Sequence, residues 1–169
     1  MTSQEKKGKT IEDSSVEDHT YRIFPNDLNS NGTVFGGLIM SVLDRIALVV
    51  AERHSETTCV TASVDALHFL QPAGREDNLI FKAAINHVWN TSMEVGLKVV
   101  AEHGKTRKSR HIVSAYFTFV ALDKHQNPTS VAPILPKTKD EKRRFREAEI
   151  RRKHRVIHKK EIAKERSAE

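Results

Sequence analysis

The chain has 169 residues, 38% hydrophobic and 30% charged, which suits one domain with a substantial core plus extensions. No apolar run approaches the ~20 residues of a membrane span, residues 1–18 carry no signal-like apolar stretch, and the single cysteine, Cys59, excludes an internal disulfide framework or a multi-cysteine metal site. The net charge of +6 belongs to the tail: residues 137–169 hold 14 Lys/Arg against 7 Asp/Glu, and residues 1–136 hold 14 against 15, so the body has no nucleic-acid signature by charge. A cytoplasmic address is expected.

In chain order, residues 1–17 read as a disordered segment, polar with little to bury. Tyr21–Phe24 is a short strand candidate stopped by Pro25, and Asn26–Gly32 is a loop dense in turn-forming residues. The run from Gly36 to His54 is too long for a typical strand and apolar on nearly every face, with charge returning only at Glu52-Arg53-His54 after the isolated Asp44-Arg45, which predicts a central helix buried on all sides. Four strands follow, over Thr58–Leu70, Asn78–Trp89, Ser92–Glu102 and Arg110–Leu122. Each is long for a strand, implying a strongly coiled antiparallel sheet. In the last, Val113, Ala115, Phe117 and Phe119 share one face and Ser114, Tyr116 and Thr118 the other. Asp123–Pro136 is a proline-bearing linker. Thr138 and Glu141 then form a capping box, opening a charged helix expected to be solvated or docked by a thin apolar stripe on another subunit. The order is α+β: one long antiparallel sheet wrapped around one buried helix over residues 18–136, and a basic helical extension over 137–169.

Asp44 is the anomaly. It lies mid-helix among Met40, Ser41, Ala47 and Leu48 at i±3 and i±4, where an unpaired carboxylate costs several kcal/mol. A structural reading pairs it with Arg45 or Arg53; a functional one makes it a base or nucleophile. Gly36-Gly37 opens the same helix, where unpaired N–H groups and the helix dipole favour an oxyanion. Seven or eight residues separate the glycines from Asp44, about 11 Å along the axis. One chain does not easily bring both to a single reacting atom unless a long substrate or a second subunit bridges the gap, and a site shared between two subunits answers this. No His-Glu-x-x-His or other metal spacing occurs among the nine histidines.

Several ordered strings carry a family resemblance: Asn31-Gly32-Thr33-Val34-Phe35-Gly36-Gly37-Leu38-Ile39-Met40, then Asp44, then Val60–Asp65, then Thr91-Ser92-Met93-Glu94-Val95, then Ser114–Val120. Together, over about residues 18–145, they resemble the hotdog-fold acyl-CoA thioester hydrolases of the cytosolic and brain type and their bacterial relatives. The resemblance implies fatty acyl-CoA hydrolysis to a free acid and coenzyme A. Asp44 would be the catalytic carboxylate and the Gly37 N–H, with Gly36 beside it, the oxyanion donor. The family often has Asn or Asp in the loop before the glycines; here Thr33 stands there, with Asn31 as the substitute water-orienter. Arg53, His54, Thr91 and Ser92 are candidates to meet the coenzyme A phosphates, with the basic loop Lys105–Arg110 a weaker one. Neither metal nor separate cofactor is implied, and dimers assembled into hexamers are expected. A non-catalytic acyl-CoA sensor on the same fold is the alternative. A nucleic-acid role for the tail is disfavoured, because it lacks interleaved aromatics.

Overall fold

The structure, a computed structural model, describes residues 7–167. Five strands, β1 (Val16–Arg22), β2 (Thr58–Phe69), β3 (Asp77–Val88), β4 (Ser92–His103) and β5 (Ser109–Leu122), form one antiparallel sheet in the order β1-β3-β4-β5-β2. Helix α1 (Gly36–Ser55) packs on one face, and α2 (Lys139–Arg166) covers part of the other. The four later strands lie within a residue of their sequence-predicted bounds, because their alternation is written clearly. Leu79, Phe81, Val95, Leu97, Val99, Val113, Phe117 and Phe119 face α1 in the core. Lys82, Asn86, Glu94, Gly96, Lys98, Ser114, Tyr116 and Thr118 occupy the alternate, outer positions.

Three expectations change. Residues 1–6 lie outside the described residues, but 7–17, read as disordered, are packed. Lys9 pairs with Ile134 in parallel (Lys9 N to Pro133 O, 3.0 Å), its Nζ donates to the His54 carbonyl (2.7 Å), and Ile11 and Ser14 are buried. One aliphatic anchor and a backbone pairing suffice to hold a stretch whose average composition is polar. The first strand likewise starts at Val16, not Tyr21. As an edge strand exposed on most of its length, it carries no apolar alternation to reveal it.

Second, α1 is not buried all round. Ile39, Leu43, Ile46, Ala47, Val50, Ala51 and His54 form its core stripe, and at its C-terminus Glu56 adopts a left-handed conformation (φ 58°) with its N–H on the Glu52 carbonyl. Met40 and Val49 on its other side are exposed, as are Val60, Val64 and Phe69 on β2, the sheet edge beside it. The helix is apolar on two sides because a single chain covers only one of them.

Third, α2 docks on its own chain. The capping box forms as expected: Thr138 Oγ1 accepts from Glu141 N, and the Glu141 carboxylate accepts from the N–H groups of Thr138 (2.9 Å) and Lys137 (2.6 Å). Ala148 is fully buried and the Phe145 ring stacks on His87 with centroids 3.9 Å apart. Arg151 then grips the buried carboxylate of Glu94 with two bonds of 2.7 and 3.1 Å, and its guanidinium lies 3.7 Å from the Tyr116 ring centroid. Arg155 pairs with Asp65. Arginine and aromatic contacts do what a scarce apolar stripe could not.

Candidate functional site

Asp44 is half-buried at the margin of the α1 core stripe. Its Oδ1 accepts a 2.7 Å hydrogen bond from the Thr61 hydroxyl on β2. The partner is thus neither Arg45 nor Arg53, both of which point to solvent. A hydroxyl, unlike a guanidinium, fixes the carboxylate's orientation without neutralising it. Thr61 is the residue that sequence reasoning missed. Its position on the facing strand is set by tertiary pairing, although the run Val60–Asp65 had been singled out.

The loop ahead of the helix is organised by another residue outside the expected set, Asn29. Its Oδ1 accepts from the backbone N–H of Asn31 (2.9 Å) and of Thr33 (3.2 Å), and its Nδ2 donates to Thr33 Oγ1 (3.0 Å). Gly32, at φ +72°, completes the reversal. Asn31 is exposed and Thr33 is engaged with Asn29. The detectable signal was an Asx turn: Asn29 two residues before the Asn31 N–H and three before a glycine.

Phe35 caps α1 without a side-chain bond to the helix. The N–H groups of Gly36 and Gly37 therefore lie in the first turn with no intrahelical acceptor. Space there is tight. A Cβ on Gly37 would stand 2.3 Å from Phe35 Cε1, and one on Gly36 would stand 3.2 Å from Phe69 Cζ. Two glycines let aromatic rings close over the start of the helix. Asp44 lies two turns further along the same rigid rod, so within one chain the acid and the glycine N–H groups remain about 11 Å apart along the axis.

The other expected contacts divide. Arg53 is exposed at the end of α1. His54 is not available to a ligand: it is fully buried, its Nε2–H donates to the Ala132 carbonyl (2.8 Å), and burial pushes its pKa down against the opposing pull of that bond. It anchors the segment after β5 to the core. Thr91 and Ser92 are half-buried in the β3–β4 turn, where their carbonyls accept from Ala121 and Trp89. Ser92 aligns with Val120, which aligns with Val60, so this turn lies at the Asp44–Thr61 end of the sheet, two strands away. The basic loop is committed to structure at two points: Arg107 pairs with Glu102, and Arg110 makes bonds of 2.7 and 3.1 Å to Asp77. The Arg110 bonds, with a further one from Gly74 N–H, hold the Asp77 carboxyl below its usual pKa. Cys59 is buried against Ser55, and burial raises its thiol pKa, the opposite of what a nucleophile needs. Among the described residues no cluster of three or more His, Cys, Asp or Glu could hold a metal ion, and no helix is long and apolar enough to cross a membrane.

One five-stranded antiparallel sheet holding a long helix whose N-terminal glycines and mid-helix acid are left at an open face is the hotdog fold of thioesterases. Comparison with known proteins agrees. The thioesterase superfamily model matches residues 31–108. The uncharacterized acyl-CoA thioester hydrolase YkhA of Bacillus subtilis is 40% identical over 122 residues, 72% of this chain and 71% of that protein. The crystal structure of an acyl-CoA hydrolase from Bacillus cereus is 40% identical, covers 96% of this chain and 99% of its own, and superposes with a TM-score of 0.89. The acyl-CoA hydrolase of Staphylococcus aureus, solved with butyryl coenzyme A, coenzyme A and coenzyme A disulfide, is 32% identical with a TM-score of 0.84, covering 92% of this chain and 96% of its own. It has also been solved as variants with an aspartate, an asparagine or a threonine replaced by alanine. Other solved structures of this fold are hexameric acyl-CoA thioesterases. The chain belongs to the acyl-CoA thioester hydrolases of the thioesterase superfamily.

Proposed function

We propose that the protein hydrolyses fatty acyl-CoA to a free fatty acid and coenzyme A at a site built between two copies of the chain, with Asp44 as its catalytic carboxylate. The observation that carries this reading is the Asp44–Thr61 pair: a half-buried carboxylate held by a neutral hydroxyl 2.7 Å away, its cations turned outward. The glycine turn lies too far along the same helix to serve the same atom. The apolar sides of α1 and β2 left uncovered by one chain, with Met40, Val49, Val60 and Val64 exposed, suit a second copy. That copy would bring its own Gly36-Gly37 turn to this Asp44. The solved hexameric relatives support dimers assembled further into a hexamer.

In the proposed reaction the Gly37 N–H, aided by that of Gly36, binds the thioester carbonyl oxygen and the negative charge that develops on it. Asp44 takes a proton from a water as the water oxygen attacks the carbonyl carbon. The tetrahedral intermediate collapses, the C–S bond breaks and the proton passes to the departing coenzyme A sulfur. Direct attack by Asp44, giving a mixed anhydride that water opens, uses the same residues. A thiolate leaves readily, so neither metal nor cofactor is required. Thr61 fixes the rotamer of Asp44. Asn29, rather than Asn31 or Thr33, is the amide best placed to orient water from the partner's loop, with Thr33 holding it in position. The spacing supports this. Asn29 precedes Asp44 by 15 residues and Thr61 follows it by 17, the separations of the asparagine, aspartate and threonine replaced in the Staphylococcus aureus enzyme. Arg53, Thr91 and Ser92 remain candidates for the coenzyme A phosphates.

The test is thiol release from acyl-CoAs of several chain lengths by the parent protein and by Asp44→Asn and Asp44→Ala. Loss of a general base lowers turnover by roughly 10²–10⁴-fold; unchanged turnover in both variants sinks the mechanism. A parent protein that binds acyl-CoA but hydrolyses no chain length would be a sensor on the same fold. Co-assembly of Asp44→Ala with Asn29→Ala subunits should recover activity at the interfaces that keep both residues, whereas failure to recover it in mixed assemblies would refute the shared site.

A further inference from the structure

The outer face of the sheet carries a charged device for which thioester hydrolysis has no direct use. It acts on β2, the edge strand that bears Thr61. Pairing of β2 with β5 slips twice, between Thr61 and Ser63 and again between Val64 and Ala66. Thr61 stands opposite Phe119, a core residue on the α1 face, whereas Ser63 stands opposite Thr118 on the outer face. Ala62 is the extra residue of a bulge. That bulge lets the strand show Thr61 to α1 and Ser63, two residues on, to the outer face, where Asp65 at the second slip also lies. Without it, a residue and its second neighbour would share a face, and the Thr61 hydroxyl could meet Asp44 only if Ser63 also turned inward.

Within one chain β2 is an edge strand and much of it is exposed, and such strands specify register weakly when few apolar side chains anchor them. Here the second slip is tied down. The Asp65 carboxylate accepts from Ser63 Oγ (3.1 Å) and Thr118 Oγ1 (3.4 Å), and the Arg155 guanidinium closes on it. Arg155 lies one helical turn after Arg151, which is locked to the fully buried Glu94 on β4. The helix is thus fixed to the middle of the sheet by Arg151 and reaches its edge by Arg155.

We infer that Arg155 and Asp65 are positioning residues. Through them α2 holds the bulged register of β2, and so keeps Thr61 on Asp44, without touching substrate. This rests on Asp44 being the catalytic carboxylate.

The full-length chain carrying Arg155→Ala, Asp65→Asn or Arg155→Lys is assayed for kcat and KM, each change alone and in a Thr61→Val background, with assembly state checked by sedimentation. Arg155→Ala and Asp65→Asn should lower kcat about ten-fold while KM stays within about two-fold, as expected for a misplaced rather than a missing catalytic group. Arg155→Lys should recover part of the loss. In the Thr61→Val background Arg155→Ala should add little, because the contact it protects is already gone. Amide hydrogen exchange should rise at residues 61–65 in Arg155→Ala. A parent-like kcat for Arg155→Ala, or an equal fold-loss in both backgrounds, overturns the inference. Asp44→Ala separates the two levels: if it is inactive while Arg155→Ala is unimpaired, only the positioning role fails; if Asp44→Ala turns over normally, the underlying site assignment fails.

Discussion

Replacing Arg151 with methionine should destabilise the folded chain severely. Glu94 has no solvent exposure, and its carboxylate has three hydrogen bonds: 2.7 and 3.1 Å from Arg151 and 2.9 Å from Asn86 Nδ2. Methionine keeps much of the aliphatic bulk over Tyr116 but removes both charged bonds and the cation–π contact at 3.7 Å. Breaking one side of a buried pair costs about 3–5 kcal/mol, because the remaining charge keeps its desolvation cost. The surviving Asn86 bond and the partial exposure of Arg151 (20% of its side chain) place the effect near the lower end, about 3 kcal/mol. For a chain of this length that is roughly 6–12 °C in melting temperature. The assay is thermal unfolding at one fixed protomer concentration, since assembly also contributes to apparent stability. The companion Glu94→Gln/Arg151→Met should regain most of the loss, because the amide keeps the Asn86 bond and leaves no charge behind. A single variant melting within about 2 °C of the parent, or a double variant no better than the single, would refute the reasoning.

Acid should loosen the fold in two stages. His54 and His87 both have pKa values lowered from 6.5, chiefly by burial. The unfolded chain therefore binds their protons first as pH falls. Their contribution is complete above pH 6.5 and is lost as pH drops from there through their folded values. The slope of stability against pH just below 6.5 should flatten in His54→Gln by up to about 1.4 kcal/mol per pH unit, and an unchanged slope would contradict it. Asp77 and Glu141 have lowered values instead, Asp77 through Arg110 and Glu141 through the N–H of Thr138. Their share is present above ordinary carboxylate values and is lost as pH falls through the lowered ones. Gly37→Ala should separate stability from activity. Alanine favours a helix by up to about 1 kcal/mol over glycine, so the melting temperature should hold, while a Cβ 2.3 Å from Phe35 Cε1 displaces that exposed ring at the glycine turn. Turnover should fall more than about ten-fold, and a parent-like kcat would remove the glycine turn from the reaction.

Much of this protein is legible in its linear pattern. The alternation in Val113–Phe119 marked both faces of β5, and Thr138 with Glu141 marked the start of α2 to the residue. Asp44 stood out because an acid in an apolar helix is costly, and helical rise alone separated it from Gly36-Gly37. These are local rules of period, capping and composition, and the backbone obeys them wherever packing does not object. Thr61 was beyond their reach. Its meeting with Asp44 depends on the edge position of β2 and on the Ala62 bulge, and neither leaves a periodic trace. His54 looked like a surface cation at a helix end, yet the chain after β5 folds back over it and offers the Ala132 carbonyl. The arginines of α2 looked like a solvated face until Glu94, Asp65 and Tyr116, from three different strands, proved to stand beneath them. The sequence by itself determined α1, α2 and the four later strands and offered candidates for the chemistry, Asp44 first among them. Tertiary structure alone decided which of those residues meet, because a contact between side chains distant in sequence is fixed by register, bulge and crossing, quantities that belong to no single segment.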